Sequence, residues 1–410
     1  MIQCAGVLQV TKNIRFASKL TFESDLRKAA LEVAADLEQS MGEGPIDLLF
    51  IFPSSHFAES AHTLLERFRS VLSPAVMVGC TGEGVIGSEH EIEGESAISI
   101  VAARLPGVKI HPIALLPQEI HQVADDPRVM RHAVQAGQDT KAFIMLADPF
   151  SAHIDGLLKA FNTAFPGIPV IGGMASGAHS PGETALFMND HTYRQGVVGV
   201  ALAGPITVDA IVSQGCRPVG PLFEVTEGDA NVIKMLDGKP AMARIQDVIE
   251  ELPEKDKMLL TNGLFVGRAI DSSRDMHGRG DFLVRGVVGI DRKTGSIAIG
   301  DFVESGESIQ FHLRDAETAK EDLEMMLTPH SLFGAPSGAV LFSCNGRGTR
   351  LYDHPDGDIS AINSFFEGLP VAGFFCAGEI GPIGGKNFLH GHTASLALIR
   401  PEGTTATSNS

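Results

Sequence analysis

The strongest constraint on this chain is a pattern written three times. An apolar run, Asp47-Leu48-Leu49-Phe50-Ile51-Phe52, leads into a polar turn, Pro53-Ser54-Ser55-His56. Apolar residues at helical spacing follow (Ala61, Leu64, Leu65, Phe68, Leu72), then a second apolar run, Val76-Met77-Val78-Gly79, that opens into a glycine-rich loop. The same order returns from Ala142 to Gly173, with its turn at Asp148-Pro149-Phe150-Ser151, and from Val340 to Gly373, with its turn at Cys344-Asn345-Gly346-Arg347-Gly348. Leu49 to Gly79, Phe143 to Gly172 and Val340 to Gly373 are offsets of 30, 29 and 33 residues, the size of a strand–helix–strand crossover. Apolar runs without alternation suit strands buried on both faces, and i, i+3, i+4 spacing suits the helices between them.

Each copy is followed by more strand-like sequence, at 97–102, 197–203 and 393–399. The expected fold is therefore α/β, with repeated β-α-β-β units forming mixed β-sheets flanked by helices in two modules. Residues 1–205 hold two copies and 206–400 the third, with a small, polar and disordered tail at 401–410. Around the repeats the sequence predicts a helix over 24–38 capped by Ser24 and a helix over 316–327. It also predicts two helical stretches between 228 and 252, broken at Asp237-Gly238-Lys239-Pro240, and a β-hairpin over 286–299.

Charge narrows the partners. Among 410 residues, 32 Lys and Arg face 50 Asp and Glu, a net charge of −18; such a field repels nucleic acid and anionic membranes. Five cysteines (Cys4, Cys80, Cys216, Cys344, Cys376) with no CxxC pair argue for reduced thiols. With no signal-peptide pattern and no 18-residue apolar run, a cytoplasmic protein without membrane insertion is expected.

The residue types that carry chemistry concentrate in the third copy. Five glycines from Gly373 to Gly385, Gly378 among them, surround Cys376 and Glu379, and His390-Gly391-His392 follows after four more residues. Such a loop lets backbone N–H groups approach a ligand. His390 and His392, two apart in a strand, would share one face. Asn345 and Arg347 lie just past a strand, where open α/β sheets bind ligands. An Arg347 fork beside a Glu379 acceptor is the minimal kit for the carboxylate and ammonium of an amino acid. Cys80-Thr81-Gly82-Glu83 repeats the Cys-x-Gly-Glu of Cys376 to Glu379 and marks a matching pair, Cys80 and Glu83, in the first copy. Cys376, His392 and Glu379 can also be drawn as the nucleophilic triad of a Cys/His-dependent hydrolase or transferase, although no nucleophile elbow accompanies them. A metal would need Glu379 or Cys376 to join the histidines; neither a metal nor a catalytic residue is assigned.

At these residues the chain resembles the FIST family, the sensory domain named from F-box and intracellular signal transduction proteins. The N-terminal FIST part is matched by the helix at 24–38, by Val78 to Gly84 and by Pro169 to Gly173. The C-terminal part is matched by Gly215 to Gly220, Leu236 to Ala241, Cys344 to Gly348, Gly373 to Gly385 and His390 to Thr393. The resemblance implies a small-ligand sensor of signal transduction, with amino acids or related metabolites as ligands. Haem is the competing ligand, because some relatives resemble haem-containing nitric-oxide sensors. A separate kinase, cyclase or chemoreceptor is the implied partner, and a protein-interaction adaptor is a further reading. The family carries over no catalytic residues.

Overall fold

The computed structural model describes residues 14–403 except residue 275, so Cys4 and the end of the tail lie outside the described residues. The three crossovers stand where the repeats place them. Strands Leu48–Pro53 and Val76–Cys80 flank helix Ala61–Leu72; Thr140–Ala147 and Val170–Met174 flank Ile154–Ala164; Gly338–Cys344 and Val371–Cys376 flank Gly357–Phe365. All six strands are buried along almost their whole length, which is why their sequences do not alternate. Within each crossover the two strands run parallel, with Ile51 opposite Gly79, Met145 opposite Gly172 and Leu341 opposite Gly373. A Cβ on Gly79, Gly172 or Gly373 would lie 1.8, 1.8 or 1.9 Å from the carbonyl oxygen of that partner. Only glycine permits this approach. The three glycines therefore mark equivalent positions and align the units residue by residue.

Each unit completes its sheet in the same order. The antiparallel strand Ile98–Arg104, Val197–Ala203 or Thr393–Pro401 pairs with the first crossover strand, and Arg15–Thr21, Lys109–Leu115 or Ile206–Gln214 forms the edge beyond it. The other side of each sheet is filled by a hairpin from a different unit. Gly84–Ile86 with Glu91–Glu93 joins the third sheet, Leu186–Met188 with His191–Tyr193 the first, and Glu379–Ile383 with Lys386–His390 the second. The three six-stranded sheets thus form a closed pseudo-three-fold ring, and the expected β-α-β-β repeat gains an exchanged hairpin before its last strand. Ser88 Oγ, Asn189 Oδ1 and Asn387 Oδ1 accept the N–H of Val371, Met77 and Val170 at 2.9, 3.0 and 2.8 Å. Each of these N–H groups lies two residues before the marker glycine of the receiving unit.

The inward sheet faces share one core, in which the Phe52 ring lies 5.2 Å from Phe374 and 6.3 Å from Phe342. Helices cover the outward faces. One of them, Leu26–Met41, begins two residues later than expected, because Asp25 rather than Ser24 accepts the N–H groups of Arg27 and Lys28 at 3.0 and 3.1 Å.

The third unit begins at Ile206–Gln214 and carries an insert between that strand and helix Ala316–Ser331. Strands Cys216–Asp229, Ser308–Arg314, Leu264–Ala269, Phe282–Asp291, Ser296–Ile299 and Val232–Leu236 pair in that order, and the first also pairs with the last, closing a barrel. Helix Ala241–Glu251 packs on its core through Ala241, Ile245 and Val248. The predicted hairpin over 286–299 is present. The helical stretch expected before Asp237 is instead a strand: Ala230, at φ +52, turns the chain so that Val232 pairs with Asp229.

Candidate ligand-binding site

Counting four residues on from Ile51, Met145 and Leu341 gives Ser55, Pro149 and Asn345. Counting four on from Gly79, Gly172 and Gly373 gives Glu83, Ser176 and Ala377. All six line a single cavity of about 450 Å³ at the carboxyl ends of the parallel strands, within the usual range for small-molecule sites. The ring topology thus turns three strand-end turns toward one place. The backbone there is tied: Ser55 N–H donates to Gly82 O at 2.7 Å and Asn345 N–H to Cys376 O at 2.8 Å. Pro149 has no N–H for the equivalent bond. The Ser176 hydroxyl donates to the carbonyl of Phe375 and accepts the N–H of Glu83 at 2.7 Å, so one side chain joins all three units.

The wall of this cavity is charged. Arg350 Nη2 lies 2.5 Å from Glu83 Oε1, and their side chains are 53% and 36% exposed. Arg350 Nη1 also donates to Asn345 O at 2.8 Å. Glu93, on the exchanged hairpin, accepts the N–H of Thr349 at 2.7 Å. His56, whose Nδ1 is 3.2 Å from Ser54 Oγ, and His179 complete the polar lining. A second cavity of about 460 Å³ lies between Ser18, Ser88 and Glu367, at the amino-terminal side of the third sheet, and no Arg or Lys lines it.

Of the residues singled out from sequence, Asn345 and Glu83 line the pocket; the others are placed differently. Arg347 is not a free fork. Its guanidinium is buried, with Nε and Nη2 donating to Asp358 at 2.8 and 2.5 Å and Nη2 to Tyr352 Oη at 2.8 Å. Glu379 is enclosed, its Oε2 accepting the N–H and hydroxyl of Thr393 at 3.1 and 2.9 Å. Burial pushes its pKa up to about 8, so it is neutral at pH 7 and is no partner for a ligand's ammonium.

His390 and His392 do not share a strand face. The strand ends at His390, whose Nε2 lies 3.0 Å from Gly381 O. His392 follows in a turn at φ +62 and packs against Phe265 at 4.4 Å between ring centroids. Burial lowers both imidazoles to about 4. The Cys376 thiol is buried 3.6 Å from Phe374 O, and burial raises its pKa and that of Cys80 far above the ordinary range. The triad is therefore corrected: Cys376 is a neutral core thiol. Gly378 uses its carbonyl to accept the N–H of Met174 at 2.8 Å in the hairpin exchange.

The shared Cys-x-Gly-Glu is likewise not an equivalence. Cys80 stands one residue past its marker glycine and Cys376 three past, a two-residue offset that puts Ala377, not Glu379, opposite Glu83. Arg350, Ser176 and Glu93 were missed. Aligning the units on their glycines reaches Ser176, whereas no local pattern separates Arg350 from Arg347.

A ring of sheets with a polar, ligand-sized hollow at its strand ends is the architecture of a binding module. The FIST N domain model matches residues 47–239 and the FIST C domain model residues 241–382. The chain belongs to the FIST family, whose domains are small-ligand sensory domains of signal transduction. An uncharacterized protein of Mycobacterium tuberculosis is 37% identical over 377 residues, covering 92% of this chain and 97% of the relative. An uncharacterized protein of Mycobacterium bovis is 36% identical over 378 residues, covering 92% and 96%. Among solved structures, a cyanuric acid hydrolase aligns at 8% identity and TM-score 0.35, covering 95% of this chain and 100% of that one. The cyanuric acid hydrolase of A. caulinodans aligns at 11% and 0.34, covering 95% and 99%. Likeness at this level carries no argument about this chain.

Proposed function

We propose that this protein is a sensor whose ligand is an amino acid or a related zwitterionic metabolite, bound in the three-unit pocket. The observation that carries the reading is the Glu83–Arg350 pair set into the wall of the 450 Å³ cavity. Arg350 presents a planar fork that suits a carboxylate. Glu83 and Glu93 supply acceptors for an ammonium group, and Asn345 a neutral polar contact. The sequence-level kit is kept, with its members reassigned from Arg347 and Glu379 to Arg350 and Glu83.

Glu83 belongs to the first unit and Arg350 to the third, so a ligand that divides the pair acts on the junction of the two modules. That junction is where occupancy would be passed to a separate signalling protein such as a kinase, cyclase or chemoreceptor. Thermal-shift screening with the twenty amino acids tests the reading. At least one should raise Tm in the native protein, and the rise should vanish in Arg350→Gln and in Glu83→Gln. No shift with any of them in the native protein would remove the amino-acid assignment.

A further inference from the structure

Buried polar groups of the inserted barrel and of the third unit lie at a place the pocket does not use. Arg314 is the last residue of the inserted barrel, opposite Cys216 in the ladder. Among the described residues it makes no ion pair, and its Nη2 is buried without a partner. Arg347 Nη1, His392 Nδ1 and Glu379 Oε1 are buried without partners as well. The bare face of Gly346 looks onto three side chains there. A Cβ on Gly346 would stand 3.4 Å from His392 Nδ1, 3.5 Å from Cys344 Sγ and 3.6 Å from Arg314 Nη2, with no other atom nearer. A Cβ on Gly215 would stand 3.0 Å from Arg347 Nη1. Gly346 thus leaves room beside N–H donors of the barrel and of the third unit, whereas at Gly215 the backbone of His392 already fills the space, with its oxygen 2.4 Å from such a Cβ.

A guanidinium withdrawn from water without a counter-charge is unfavourable, and buried donors in native proteins are ordinarily satisfied. Asp358 answers the charge of Arg347, yet among the described residues no carboxylate pairs with Arg314, which is half-buried with its Nη2 enclosed. The neighbouring carboxyl, Glu379, is held neutral by burial. We propose that Arg314, Arg347 and His392 form a subsite for a small oxyanion, a phosphate or carboxylate group, at the junction between the inserted barrel and the third unit. Arg314 Nη2 and Arg347 Nη1 donate to its oxygens, and His392 donates through Nδ1 in the tautomer protonated there.

The test uses the full chain and inorganic phosphate, measured against sodium chloride of equal ionic strength. A ligand that binds only the folded state raises Tm by mass action; a rise of about 3 °C is expected near saturation. The rise should disappear in Arg314→Gln. It should also disappear in Gly346→Ala, whose new methyl occupies the gap at ordinary contact distances and leaves every charge in place, so that loss of folding is not the explanation. Acetate in place of phosphate separates a carboxylate source from a phosphate source, and a specific rise with either supports the subsite. An equal rise in native protein and Gly346→Ala, or no rise beyond that of chloride, overturns it. Arg350→Gln should keep this shift while losing the amino-acid shift, so failure of one proposal is distinguishable from failure of the other.

Discussion

Arg347 and Arg350 sit three residues apart in one turn and occupy opposite regimes. The first is enclosed, bidentate to Asp358 and bonded to Tyr352. The second stands in the pocket wall against a carboxylate of another unit, with half its side chain open to water. A buried, fully matched charge holds its surroundings in place and is not available to a ligand. An exposed pair is weak enough to be exchanged for one. In this fold structural work falls to the interior of the third unit, and the recognition we propose to the rim shared by all three.

The largest test of that division is to break the interior pair. Asp358→Ala strands a buried guanidinium and should cost about 3–5 kcal/mol in denaturant-induced unfolding. A loss below 1 kcal/mol would place Arg347 in water and erase the contrast. The ring itself is tested next. Gly79→Ala, Gly172→Ala and Gly373→Ala each force a methyl group against a carbonyl oxygen of the parallel strand, and each should cost roughly 1–3 kcal/mol. A tolerated substitution at one position would show that the units are not equivalent there.

A smaller effect comes from the enclosed ionisable groups. Glu379 and Glu91 have folded-state pKa values raised to about 8, so the folded chain holds protons that the unfolded chain releases above the ordinary carboxyl range, and their contribution to stability declines as pH rises toward 8. His312, His390 and His392 are lowered to about 4. Their contribution is lost as pH falls from 6.5 to 4. Stability should therefore decline most clearly between about pH 7 and 8, where the carboxyls outweigh the remaining histidine titration, and Glu379→Gln should flatten that decline. An unchanged slope would mean that Glu379 is ionised in the fold. The smallest expected change is in the stability of Arg350→Gln, below about 1 kcal/mol because the pair is solvated, although the ligand-induced shift should vanish. A large destabilisation would make Arg350 a second structural arginine.

Much of the scaffold was legible because it is local. Strand–helix–strand periodicity places all three crossovers, and the glycines ending Val76-Met77-Val78-Gly79 and its counterparts fall where parallel strands touch. The inserted barrel was visible only as one hairpin, because its closure pairs the strand at 216–229 with both 232–236 and 308–314, a pairing across more than eighty residues that no window contains. The site was half legible. Asn345 and Glu83 lie in turns that the repeat pattern marks, but the Cys-x-Gly-Glu match misled because it compares identities two residues out of structural register. The histidine pair misled because alternation holds only inside a strand, and this strand ends between them.

The sequence alone determined the three crossovers, since burial on both faces of a strand and on one face of a helix leaves its period in the chain. Tertiary structure decided which unit lends its hairpin to which sheet and therefore which strand ends meet. It also decided which of two nearby arginines is enclosed, because Asp358 on the following helix folds over Arg347, whereas Arg350 meets Glu83 of the first unit at a junction that closes only in three dimensions.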